Sequence, residues 1–177
     1  MGEAVGENVR RREGRRGIMV RILPHEGIAA RGDRNMPEQT YDKRDIALTQ
    51  LESALRLFRE GDDYFSALTL AGAAGGILGD LLRLRGRQNA LDDLISGAVL
   101  MHKHLFGEEA GAKEFANRAN RARNALKHLE AGGFPTITLD IRDEAKDMLT
   151  RAIDNYWLLE ESLTPAMGLF TREQRTV

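Results

Sequence analysis

The chain is predicted to be all-α, an antiparallel bundle of about five helices joined by short connections. Three observations predict it. Apolar residues recur at helical spacing through most of residues 42–163. Asp, Asn and Gly stand where helix starts and stops are needed. Only one short stretch, Phe134 to Asp140, alternates apolar and polar at period two. With 177 residues, 42% hydrophobic and 30% charged, one soluble domain with its own core is expected.

Residues 1–40 read as a flexible basic leader. The first 36 hold eight Arg against five acids, leaving 18 basic and 22 acidic residues for the rest of the chain. Rich in Arg and Gly and poor in large apolar side chains, the leader buries too little to offset its ordering entropy. It is an arm that touches RNA, a plain disordered leader, or sequence upstream of a natural start at Met36. The helical domain follows over residues 41–165, and residues 166–177 are expected to be a frayed tail.

The first helix runs from Asp42 to Glu60. Asp42 is the N-cap, Asp45 favours the first turn and Gly61 is the stop. Leu48, Leu51, Leu55 and Phe58 form its inward stripe. The second, Asp63 to about Arg85, is apolar nearly all round and is therefore the buried helix. Its interior glycines, Gly72, Gly75, Gly76 and Gly79, each cost about 1 kcal/mol relative to alanine. Close approach of another helix, from the same chain or a second subunit, would offset that. A phosphate loop is excluded, because no Gly-Lys-Ser/Thr ending follows.

The third helix, Asn89 to Phe106, ends at Gly107 and turns Leu91, Ile95, Ala98, His102 and Leu105 inward. His102 is expected as a hydrogen-bonded core histidine. His104 points about 200° away, toward solvent, so the two cannot share a metal. The fourth, Ala112 to Glu130, buries Phe115, Ala119, Ala122, Leu126 and Leu129. Residues 134–140 are then an extended connector, or a strand that pairs across a dimer. The last helix starts at Asp140 or Asp143 and reaches about Leu163. It turns Ala145, Met148, Leu149, Ala152, Ile153, Tyr156 and Leu159 inward, and Pro165 limits it.

With no cysteine, disulfides, thiolate nucleophiles and Cys metal sites are excluded. The leader lacks an apolar signal core, and the uncharged run from Tyr64 to Gly79 is short for a bilayer. A cytoplasmic protein with no membrane partner, no metal and no cofactor is expected.

The polar side of the fourth helix carries the candidate chemistry. The run Arg123-Asn124-Ala125-Leu126-Lys127-His128 combines a phosphate holder, an orienting amide and a group that moves protons near neutral pH. Asn117, Arg121 and Lys127 on the same surface are the candidate substrate-binding residues. The run resembles the Arg-x(4–6)-His motif of the HEPN superfamily (higher eukaryotes and prokaryotes nucleotide-binding), helical bundles that include many endoribonucleases. A polar residue directly after the arginine, here Asn124, is common in that pattern.

The resemblance covers residues 42–163 in helix order, and the motif itself spans six residues. It implies a homodimer with paired motifs in one cleft, and metal-independent RNA cleavage by 2′-OH attack on the adjacent phosphate. His128 would be the general acid or base, Arg123 would stabilise the phosphate and Asn124 would position the scissile group. Many family members also carry an acid in an earlier helix, where this chain has Gly75-Gly76 and no acid before Asp80.

On a regular helix, residues five apart diverge by about 140°. The helix must therefore be distorted, Arg123 must reach round, or a partner chain must complete the site. Two function classes follow. One is a self-associating HEPN-like module that binds a nucleotide, RNA, an antitoxin or another partner protein. The other is an endoribonuclease of the toxin or phage-defence type. A metal-dependent bundle hydrolase is discounted, since Ala125 stands where a Glu-x-x-His pair needs its carboxylate.

Overall fold

The computed structural model describes residues 38–108, 110–128 and 135–175; residues 1–37 of the basic leader, Leu129 and Phe134 lie outside them. The described residues form an all-α bundle of seven helices with no strand. These are α1 (Lys43–Glu60), α2 (Tyr64–Leu84), α3 (Ala90–Phe106), α4 (Ala112–Ala119), α5 (Arg121–Lys127), α6 (Ile141–Glu160) and α7 (Pro165–Gln174).

The caps are those the side chains dictate. Asp42, Asp63, Asn89 and Asp140 each accept a backbone N–H of the first turn they precede. Gly107 closes α3 in the left-handed region at φ 73°, where a Cβ would be strained. At the end of α6 the same role falls to Glu161, at φ 54°.

α2 is central and packs against α1 on one side and α6 on the other. It is long and apolar enough to cross a membrane by length and composition, but Ala67, Leu68, Ala71, Ala74, Leu78 and Leu82 are buried in the bundle. All seven residues expected to face inward from α6 are buried. Three of the four interior glycines of α2 are explained within one chain. A Cβ on Gly75 would sit 3.4 Å from the Cβ of Ala152, and one on Gly79 would sit 3.3 Å from the Nδ2 of Asn89. Gly76 faces open space, and nothing in the packing requires it.

Three expectations are corrected. The predicted fourth helix is two, broken at Asn120 (φ −109°, ψ 5°), where the Arg151 guanidinium donates to the Ala119 carbonyl at 2.8 Å. The tail beyond residue 165 is not frayed over its described part. Thr164 caps α7, Pro165 occupies its first turn, and Met167 and Phe170 are buried. Finally, α3 buries no residue fully, so His102 is not a core histidine. It is half-buried between Phe106 and Phe115, with Nδ1 3.3 Å from the Glu108 carbonyl oxygen. His104 is exposed, as its phase on the helix predicts.

Residues 135–140 have no regular structure. Leu139 packs on the core, and the Thr138 carbonyl accepts from Arg121 at 3.0 Å. Within one chain, the described part of the connector is neither helix nor strand, and Leu139 lays it on the bundle.

Candidate functional site

A cleft of about 270 Å³ opens where the glycine side of α2 meets α5, α6 and the start of α3. Arg123 enters it from α5 and Arg151 from α6, with Asn120, Asn89 and Asn155 around them. Gly72 makes the first of these placements possible. A Cβ there would lie 2.8 Å from Arg123 Cδ, so the bare backbone of α2 leaves the groove in which the arginine stem lies. Arg123 is half-buried, and its Nε is enclosed without a hydrogen-bond partner. A buried guanidinium donor left unmade is costly, and a shift of the side chain toward an acceptor in the cleft would relieve it.

Arg151 is held differently. Its Nη2 donates to the Ala119 carbonyl at 2.8 Å and touches the Met148 sulfur at 3.5 Å. Burial pushes its pKa below the usual arginine value and the neighbouring Arg123 acts in the same direction, while Asp147 and Glu144 oppose them. Neither Arg123 nor Arg151 pairs with a carboxylate among the described residues. Arg83, farther along the same wall, is already matched. It bonds Asp80 at 3.2 Å and Asp92 at 2.9 Å.

The three asparagines divide their work. Asn155 is 5% exposed, accepts from the Ala90 N–H at 2.8 Å and donates to the Gly75 carbonyl at 3.0 Å. Asn89 caps α3 through the Leu91 and Asp92 N–H groups, both at 3.0 Å. The start of α3 therefore has its donors satisfied within the protein. Asn120 precedes α5, but its side chain makes no cap bond. Among the described residues no group of three or more His, Asp or Glu side chains could hold a metal.

Of the six residues singled out in the sequence, only Arg123 lines the cleft. Asn124 is exposed. Lys127 is the exposed last residue of α5, and His128 caps it in extended conformation at φ −135°, ψ 134°. The regular-helix angle between Arg123 and His128 does not apply, because His128 has left the helix. Arg121 is exposed and spends a donor on Thr138, while Asn117 lies across the break on α4.

No family model, curated protein or solved structure matches the chain. Arg151, Asn155 and Asn120 are the site residues that sequence reasoning passed over. The readable signal for the first two was a charge and an amide inside the inward stripe of α6, between Met148, Ala152 and Leu159.

Proposed function

We propose that this chain is a HEPN-like helical module that self-associates and binds the phosphate of a nucleotide or RNA without cutting it. One observation carries the reading: Arg123 lies in a cleft beside Arg151 with an enclosed, unpartnered Nε. An arginine fork suits phosphate oxygens, and burial strengthens each bond it makes. Cleavage also needs a proton-transfer group within hydrogen-bond reach of the held phosphate. His128 is exposed and outside the cleft lining, which favours binding over catalysis within one protomer.

Binding of a short single-stranded RNA in EDTA tests this, read by fluorescence anisotropy with the RNA length checked afterwards. Wild type is expected to bind and leave the RNA whole, and Arg123→Gln to weaken binding by about tenfold or more. RNA cleavage that vanishes in a folded His128→Ala would replace this reading with the endoribonuclease. Absence of any binding would end it.

Self-association has its own support in α3. Leu91, Leu94, Ala98, Met101 and Leu105 follow the alternating spacing of three and four that forms a coiled-coil seam. Leu94, Met101 and Leu105 are 50%, 59% and 64% exposed. Contiguous apolar exposure of this kind marks an interface. Asp92 of the first turn is taken by Arg83, but Asp93 is exposed and the last turn is basic (Lys103, His104), so antiparallel pairing of two α3 helices sets acid against base. Light scattering after gel filtration is expected to give a dimer at micromolar concentration and a monomer for Met101→Glu. A monomeric wild type removes self-association from the reading.

A further inference from the structure

We propose that the cleft between α2, α5 and α6 is a phosphomonoester site in which Arg123 and Arg151 of one protomer together hold a terminal phosphate dianion. The proposal rests on the phosphate-ligand reading above and narrows it to a ligand class and to a second arginine.

Charge is the first argument. Two guanidinium groups share the cleft wall, and neither has a carboxylate within ion-pair distance among the described residues. The one acid in the lining, Asp80, is already engaged by Arg83 at 3.2 Å. Neighbouring cations repel; Asp147 and Glu144 offset this at Arg151 only from beyond ion-pair distance, and a ligand of two negative charges relieves the pair better than a ligand of one. A phosphomonoester carries about −1.5 to −2 near neutral pH and offers three terminal oxygens. An internal phosphodiester carries one charge and leaves two chain ends to be housed.

Donors and size agree with that choice. Arg123 Nε is enclosed and unpartnered, and Asn120 adds an amide that no cap bond occupies. The volume of about 270 Å³ lies just below the usual range of ligand pockets, room for a compact ligand and not for a passing strand. Met148, Ala152 and Leu91 give the cleft an apolar wall against which a sugar or base can lie. Helix-end binding is not the source of affinity, since the α3 donors are capped by Asn89 and Asn155.

The test is isothermal titration of the full chain with adenosine 5′-monophosphate, 3′,5′-cyclic adenosine monophosphate, adenosine and inorganic phosphate. The monoester is expected to bind about tenfold or more tighter than the cyclic diester. Inorganic phosphate should compete with it, and adenosine should give no heat.

Arg151→Gln removes the charge, and its shorter amide also gives up the Nη2 bond to the Ala119 carbonyl. It should erase the preference for the monoester, with the thermal melt showing that the variant is folded. If that variant fails to fold, Arg123→Gln carries the test, since its Nε has no protein partner to lose. Equal affinity for the two phosphates overturns the monoester assignment and leaves the phosphate-ligand reading standing. Arg123-dependent RNA binding with no monophosphate binding has the same consequence. Failure of RNA and monophosphate alike removes both.

Discussion

Phe170→Ala is expected to destabilise the domain by about 3–5 kcal/mol, the range for emptying a fully buried aromatic site. Phe170 is 1% exposed and stacks edge-on against Phe58 of α1 with ring centroids 5.6 Å apart. Phe58 in turn meets Tyr64 at 5.2 Å, so the deleted ring opens a gap beneath an aromatic row. Native stabilities of about 5–15 kcal/mol make this a loss of about a fifth or more.

Chemical denaturation of the full chain measures it, with Glu173→Ala as the control on the same helix. Glu173 makes a half-exposed ion pair with Arg59 at 3.2 Å, and its loss should cost no more than about 1 kcal/mol. If both variants cost the same small amount, α7 is a loosely held tail and its packing on α1 does not stabilise the fold.

The same helix shows what the sequence made legible. Ends of α1, α2, α3 and α6 could be placed because Asp42, Asp63, Asn89 and Asp140 act locally, within three residues of the N–H groups they accept. The inward stripe of α6 was legible because seven apolar residues repeat at one phase. For α7, Pro165 reads equally as the end of one helix and the start of another. Only Phe58, some hundred residues earlier, decides that Phe170 is core.

The break at Asn120 was illegible for a similar reason. Its carbonyl-side partner is Arg151 of α6, a contact with no sequence signature. At the candidate site, periodicity located Arg123 on a helix, and the cost of the glycines in α2 announced a close approach. What approaches Gly72 is an arginine stem, and that juxtaposition depends on tertiary packing. His128 was placed on the helix because the apolar pattern continues through Leu126 to Leu129, whereas the backbone turns extended at His128, directly after Lys127.

Asn155→Ala should cost about 2–4 kcal/mol and should loosen α3 more than any other helix. Two buried bonds are lost together: Asn155 Oδ1 accepts from Ala90 N–H and Nδ2 donates to the Gly75 carbonyl. The Ala90 donor then stays in a half-buried site with no partner, and that desolvation term makes the loss larger than a surface bond would. The unevenness follows from how α3 is held. None of its side chains is fully buried, so the Asn155 clamp and the contacts of its half-buried face to α4 and α6 keep it on the bundle. α1, α2 and α6 hold one another through a shared core that the substitution leaves intact.

Amide hydrogen exchange separates the two levels. In Asn155→Ala the protection of α3 should fall toward that of its local opening, while Leu51, Leu78 and Leu149 continue to report global unfolding. A uniform drop across all helices would mean that α3 unfolds with the core, and that the clamp is one contact among many. A selective drop would leave the cleft without its α3 wall, and nucleotide affinity should fall with it although Arg123 and Arg151 are untouched.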